Sequence, residues 1–255
     1  MTVQVARRAI HLSTEPGTID AVSGSTIKPG GAVKPGVAVL FSGGLDSAIM
    51  LSQLLAEERQ VWPLFVDCQL HWQPEELHAC RRYLQAVRQP SLEPLVVLHM
   101  PLADLYDDHW SITGRGVPRA SDPDENVYLP GHNPLLMVKA QVWCRLHSVS
   151  ELALGSLASN PFADASDDFF VQFEAAMDQA VSGHVKLVRP LAHLDKVSVM
   201  QLGSELPLEL TFSCLSPCEG MHCGACNKCA ERQQAFRQAD QVDRTPYATA
   251  RGIAI

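Results

Sequence analysis

The sequence predicts an α/β fold, a parallel sheet with helices on both faces, and three observations carry that prediction. Short continuous apolar runs such as Val37-Ala38-Val39-Leu40-Phe41 have the composition of strands covered on both sides. These runs alternate with stretches of helical period, the pattern of β-α-β units rather than of hairpins. The first run also leads into a Gly-rich turn that opens a helix, Phe41-Ser42-Gly43-Gly44-Leu45-Asp46-Ser47, the place where such sheets hold phosphates. With 255 residues, 46% hydrophobic and 19% charged, the chain has apolar surface for one sizeable core and a small appendage.

Residues 1–36 read as an N-terminal extension, because Gly17, Ser23, Ser25, Pro29-Gly30-Gly31 and Pro35-Gly36 are turn-rich and weakly periodic; a local hairpin is the most structure expected there. The α/β domain is expected over 37–212. Its first strand is Val37–Phe41, followed by a helix whose apolar positions Leu45, Ile49, Met50 and Leu54 recur at helical spacing. Val61 to Val66 is a second strand ending at Asp67, Gln73 to Val87 a helix, and Pro94 to His99 a third strand. Asn133-Pro134 has the form of an N-cap with proline at the first helical position, opening a helix through about Leu146. Glu151 to Gly155 is a fourth strand and Asp168 to Val181 another helix. A cysteine-rich element over 213–240 and a tail over 241–255 complete the chain.

The turn after the first strand is built for an anion. Gly43 and Gly44 let the backbone approach a phosphate, and the unpaired amides and dipole at the helix start favour negative charge. Ser42 and Ser47 add hydroxyl donors, and Asp46 can hold a magnesium ion that bridges phosphate oxygens. A Gly-rich helix cap with no ligand would also contain glycine, serine and aspartate, but order, spacing and the strand-to-helix setting agree with a phosphate loop. It has no lysine of the Walker A kind, which weakens kinase and GTPase readings.

Ligands of parallel sheets sit beyond the carboxyl ends of the strands, so the loops there are the place for substrate groups. Asp67 is expected near the nucleotide as a strand-end carboxylate. Pro101 to Pro130 is expected to be one long loop of a functional or mobile kind, most of its carboxylates being solvated side chains.

Five of the eight cysteines fall between Cys214 and Cys229. Cys223, Cys226 and Cys229 make two overlapping C-x-x-C steps, with Cys214 nine residues upstream. Four thiolates at this spacing can close a tetrahedral structural zinc site, leaving no open position for water. Disulfides and a redox C-x-x-C fit less well. Cys218 and His222 are spare potential ligands, of which Cys218 is expected to be a bystander, and Cys68, Cys80 and Cys144 are expected to be ordinary buried thiols.

The net charge of -8 argues against broad binding to nucleic acid. The apolar runs are strand-sized, and neither a membrane span nor a signal-like segment is read, so a cytoplasmic protein is expected. The expected partner is a small-molecule substrate, with at most a second copy of the chain in a homodimer, and neither membrane nor nucleic acid.

The loop Ser42-Gly43-Gly44-Leu45-Asp46-Ser47 resembles the SGG-x-DS loop of the ATP pyrophosphatases. Further pieces point to one branch: Pro190-Leu191-Ala192-His193-Leu194-Asp195-Lys196, Leu210-Thr211-Phe212-Ser213-Cys214, the nine-three-three cysteine ladder, and Leu129-Pro130-Gly131-His132-Asn133. Together, over about residues 37–240, they resemble the 7-cyano-7-deazaguanine synthase (QueC) family. The resemblance implies a zinc-containing ligase that uses ATP with magnesium to turn 7-carboxy-7-deazaguanine and ammonia into the nitrile by way of the amide. It implies that Ser42, Gly43, Gly44 and Ser47 cradle pyrophosphate between Phe41 and Leu45. Asp46 would position magnesium, and Lys196 would offset developing charge unless it is only a helix-surface lysine behind an Asp195 cap. Cys214, Cys223, Cys226 and Cys229 would bind zinc, and Asp67, His71, His132 and Asn133 would face substrate or nucleotide.

This chain departs from the family where the acceptor is read. Asp67-Cys68-Gln69-Leu70-His71 lacks the glycine and basic residue of the family's Asp-Tyr-Gly-Gln-Arg/Lys-His segment, and His132 stands in place of an arginine. Ser159-Asn160-Pro161-Phe162-Ala163-Asp164 replaces a Tyr- and Arg-containing stretch, and no Tyr or Arg occurs between Ser156 and Asp167. These changes leave open an adenylating enzyme with a different carboxylate or amine acceptor.

Overall fold

The structure, a computed structural model, describes residues 36–157 and 160–249; residues 1–35 of the expected extension over 1–36, Ala158, Ser159 and the end of the tail lie outside the described residues. Five parallel strands form one sheet in the order β3-β2-β1-β4-β5: β1 is Val37–Leu40, β2 Val61–Asp67, β3 Val96–His99, β4 Glu151–Ala153 and β5 Lys186–Val188. Val37 lies opposite Val61 on one side and Glu151 on the other. The chain walks outward from β1 to β3 and then returns to the other flank of β1 for β4. That reversal opens a crevice beyond the carboxyl ends of β1 and β4.

The helices are α1 (Leu45–Ala56), α2 (Gln73–Ala86), α3 (Ala103–Tyr106), α4 (Trp110–Thr113), α5 (His132–Leu146), α6 (Asp167–Ala180), α7 (Lys196–Leu202) and α8 (Asn227–Gln238). Alternation along β1 explains the layers. Val37 and Val39 pack into a core with Ile49, Leu51 and Leu54 of α1, Tyr83 of α2, Met200 of α7 and Phe236 of α8. Ala38, facing the other way, packs with Ala140 and Cys144 of α5 and with Leu152. Phe236 ties the cysteine-rich segment into the main core, and Cys214, Cys223, Cys226 and Cys229 share a second cluster with Val66, Leu70 and Trp72.

Two expectations are corrected. Pro101–Pro130 is not one irregular loop: α3, α4 and a 3-10 turn at Asp124–Val127 lie within it. Its later part is pinned to the cysteine element, with Ala120 N–H donating to Ala225 O at 3.0 Å, Asn227 N–H to Pro118 O at 2.9 Å and Asn227 Nδ2 to Asp124 Oδ1 at 3.0 Å. Asn133 is not the N-cap of α5. Gly131, left-handed at φ 75°, precedes the helix, and the Asn133 side chain turns away to Asp164. The strand β5 and the helix α8 went unread, because Lys186 and Arg189 break up the short apolar run of β5 and α8 is largely polar. Among the described residues no helix is long and apolar enough to cross a membrane.

Candidate active site

The turn after β1 is held from three sides. Phe41 N–H extends the ladder to Leu64 O at 2.8 Å, Gly43 O accepts from Phe212 N–H at 2.8 Å, and Ser47 Oγ donates to Gly44 O at 3.1 Å. Gly43 is left-handed at φ +78°, and a Cβ there would lie 2.8 Å from Cys80 Sγ and 3.2 Å from Glu76 O, so only glycine fits both the conformation and the space. Gly44 precedes α1 with no side-chain cap, leaving the first-turn amides of α1 to a ligand. Ser42 Oγ lies 3.3 Å from Ser47 Oγ, so the two hydroxyls converge. Behind them the chain leaving β4 passes closely: a Cβ on Gly155 would meet Ser47 N at 3.3 Å.

A cavity of about 430 Å³ opens beside this turn. It is lined by Phe41, Ser42, Gly44, Leu45, Asp46 and Ser47, by His132 and Asn133, and by Lys196, so residues far apart in sequence meet at the crevice. Lys196 is the first residue of α7, whose N-cap Asp195 accepts from Ser198 N–H at 2.7 Å. Far from being only a surface lysine, it reaches both oxygens of Asp46, at 2.9 and 2.8 Å. Burial works against its charge, but the Asp46 and Glu231 carboxylates outweigh that and hold the ammonium above its ordinary range. Glu231 of α8 lies 3.6 Å from Lys196 Nζ and pairs with Lys228 at 2.6 Å. For Glu231, burial favours the neutral acid, and Lys228 and Lys196 reverse this, holding its pKa low.

The lining drawn from residues 127–164 has a different character. Tyr128 and Phe162 bring their rings to 4.9 Å, and Trp72 and Trp110 stack at 5.6 Å nearby. Asn133 Nδ2 donates to Asp164 Oδ1 at 3.2 Å. Burial raises the Asp164 carboxyl, with the hydrogen bonds from Asn133 opposing it. His132 is neutral at neutral pH, since burial lowers its pKa to about 4, and its Nδ1 is buried without a protein partner. Glu76, from α2, has a carboxyl pushed up to about 8 by burial, against a hydrogen bond from Trp72. No lysine or arginine lies among the lining residues from 127 to 164.

Asp67 and His71 do not line the cavity. Asp67 turns outward, accepting from Gln69 N–H at 3.0 Å and facing His99 Nδ1 at 3.1 Å. His71 is exposed and lies against Gly114, on which a Cβ would come within 2.6 Å of its ring. Gln73 does the organising between β2 and α2: its Oε1 accepts from Cys68 and Leu70 N–H at 2.7 and 3.1 Å, and its Nε2 donates to Val66 O at 3.0 Å. Sequence reasoning missed Glu76, Asp164, Lys228 and Glu231. The i,i+3 pair Lys228 and Glu231, one turn into a helix begun by the last C-x-x-C step, was the readable signal.

The sulfurs of Cys214, Cys223, Cys226 and Cys229 lie within 4.8 Å of one another, all buried. A tetrahedron with metal–sulfur bonds of about 2.3 Å has sulfur–sulfur edges of about 3.8 Å. Cys214 and Cys226 are 3.9 Å apart, and Cys223 and Cys229 3.8 Å, so the four residues fit such an ion. Backbone amides of Leu215, Ser216, Cys223, Gly224, Ala225 and Cys226 point at these sulfurs at 3.2–3.4 Å, which favours thiolates. Cys218 and His222 are not part of the four-sulfur group; His222 Nε2 accepts from Ser213 N–H at 3.2 Å.

The parallel sheet, the phosphate turn at its switch point and the four-cysteine cluster define a nucleotide-using α/β protein of the ATP pyrophosphatase type with a metal-binding element. Residues 36–240 match the family model described as queuosine biosynthesis protein QueC. The chain is 29% identical over 232 residues to the 7-cyano-7-deazaguanine synthase of Solidesulfovibrio magneticus, covering 82% of this chain and 94% of that protein. It is 32% identical over 225 residues to that of Methanopyrus kandleri, covering 82% and 97%. The chain belongs to the QueC family. A solved 4-thiouridine synthetase–RNA complex with bound ATP overlaps at a TM-score of 0.46 with 14% identity, over 80% of this chain and 50% of that one, too loosely to carry an inference.

Proposed function

We propose that this chain is an ATP-dependent carbon–nitrogen ligase that converts 7-carboxy-7-deazaguanine and ammonia to 7-cyano-7-deazaguanine. The observation that carries the reading is the single cavity in which the phosphate turn, Lys196 and an aromatic, acid-bearing wall meet. A carboxylate has no good leaving group, so its oxygen attacks the α-phosphorus of ATP and pyrophosphate departs. Ammonia then attacks the activated carbon, AMP leaves with the former carboxylate oxygen, and the nitrogen loses a proton to give the amide. The amide oxygen repeats the attack on a second ATP with release of pyrophosphate, and loss of AMP, which carries away that oxygen, together with both protons from nitrogen leaves the nitrile.

In this reading Ser42, Gly43, Gly44 and Ser47 hold the departing pyrophosphate, through hydroxyls and the free amides of α1. Lys196 and Lys228 offset its charge. Magnesium, held at Asp46, would supply charge neutralisation across the phosphates. The Tyr128 and Phe162 rings would border a flat acceptor and Asp164 would accept from its N–H edge. The cysteine cluster would hold one structural zinc.

A second reading keeps adenylation and changes the acceptor or the amine. It is favoured by the neutral His132 and the absence of lysine or arginine in the lining from 127 to 164, which leave that part of the cavity without a fixed cation for an acid. Purified protein incubated with ATP, magnesium, ammonium and 7-carboxy-7-deazaguanine, followed by mass spectrometry, separates the two. The first reading expects amide, nitrile and AMP. No consumption of the acid by folded, metal-loaded protein would eliminate it.

A further inference from the structure

Lys196 occupies the carboxylate that a phosphate-bridging cation needs. Its Nζ contacts both oxygens of Asp46 at 2.9 and 2.8 Å, so a divalent ion meeting Asp46 would share that carboxylate with an ammonium, and like charges at such range repel. The ammonium needs somewhere to go. The nearest other carboxylate is Glu231, 3.6 Å from Nζ, an ion pair that becomes a hydrogen bond on closing by about 0.8 Å. Glu231 remains 44% exposed and already has one cation, Lys228, at 2.6 Å on its other oxygen, so it is not locked by Lys196. Its backbone is fixed by the cysteine element: Cys226 is the N-cap of α8 and Cys229 lies in its first turn, two residues before Glu231.

We infer that Glu231 is a positioning residue for the phosphate site, taking Lys196 from Asp46 when a divalent cation enters with the nucleotide. This rests on the reading that Asp46 holds that cation. It assigns the helix behind the cysteine cluster a part in nucleotide binding: the carboxylate that receives Lys196 is carried by the element whose first turn the metal ligands anchor. Lys228 holds one Glu231 oxygen at 2.6 Å and leaves the other facing Lys196.

The test is binding of a non-hydrolysable ATP analogue to the full-length protein by calorimetry across a magnesium titration, for the wild type, Glu231→Gln, Glu231→Asp and Asp46→Asn. Replacing a charged hydrogen-bond acceptor by an amide should raise half-saturating magnesium about tenfold in Glu231→Gln. Glu231→Asp should recover most of that, and analogue binding without magnesium should change little in either. Half-saturation of Glu231→Gln within about twofold of wild type, against a change of at least fivefold expected for a charged bond, overturns the inference. So does loss of the cysteine-bound metal from Glu231→Gln by elemental analysis, since Glu231 would then act by holding the helix. Asp46→Asn keeps the two ideas apart: magnesium dependence lost there and intact in Glu231→Gln sinks only the positioning role, whereas dependence intact in Asp46→Asn sinks the Asp46 reading.

Discussion

Gly43→Ala should be among the most costly single-methyl additions in the site. Two separate terms act on it. Holding alanine at φ +78° costs about 1–2 kcal/mol, because Cβ crowds the following carbonyl oxygen. The new methyl would stand 2.8 Å from Cys80 Sγ and 3.2 Å from Glu76 O. Cys80 is fully buried, with its Sγ 3.5 Å from Phe41 O, so it has little room to yield, and overpacking of this kind costs about 1–3 kcal/mol. The loop cannot easily escape by moving, since Gly43 O is bonded to Phe212 N–H at 2.8 Å. The sum, about 2–5 kcal/mol, is a large fraction of the ~5–15 kcal/mol typical of a whole domain. Urea unfolding measures it, and affinity for an ATP analogue should fall in parallel as the amides of the turn shift. Cys80→Ala in the same background should recover the crowding term and not the conformational one, giving a favourable coupling of about 1–3 kcal/mol in a double-mutant cycle. A Gly43→Ala protein within about 0.5 kcal/mol of wild type, the range of an ordinary surface change, would refute the reasoning.

Burial lowers the His132 pKa from 6.5 to about 4, so the unfolded chain binds a proton in that window and the folded one does not. Stability therefore falls as pH drops from 6.5 towards 4, by at most about 3 kcal/mol at ~1.4 kcal/mol per pH unit. His132→Gln should flatten the decline, and parallel pH–stability curves for the two proteins would contradict this. Removing metal with a strong chelator should lower the melting temperature and open the segment from 213 to 229 to protease, because the four thiolates lose the ion that holds them together. Cys218→Ser should retain one metal per chain by elemental analysis, and metal loss would show that Cys218 is a ligand.

Much of the frame was legible in the residues themselves. Doubly buried strands read as continuous apolar runs, glycine spacing marked the turn that needs φ > 0, and four cysteines at nine-three-three spacing marked a cluster, because each of these signals is local in sequence. Helical spacing likewise located α1, and α2, α5 and α6 were read to within two residues at each end. It could not find β5, whose apolar run is interrupted by Lys186 and Arg189, or α8, whose polar composition hides a helix held by Ala235, Phe236 and the cysteine cluster.

The candidate site divides along the same line. The turn after β1 was readable because its glycines and hydroxyls lie within six consecutive residues. Asp67 was placed at the cavity on strand-end logic and His71 through the family resemblance, and both lie outside it, because the direction of a side chain after a strand depends on the turn, here built by Gln73. The salt-linked chain from Asp46 through Lys196 and Glu231 to Lys228 spans more than 180 residues and exists only because α1, α7 and α8 pack side by side. Sequence alone determined the fold class, the glycine turn after β1 and the four sulfurs. Tertiary packing decided which carboxylates and ammonium groups share one cavity, since charges interact through space, and burial rather than residue type made His132 neutral and raised Glu76.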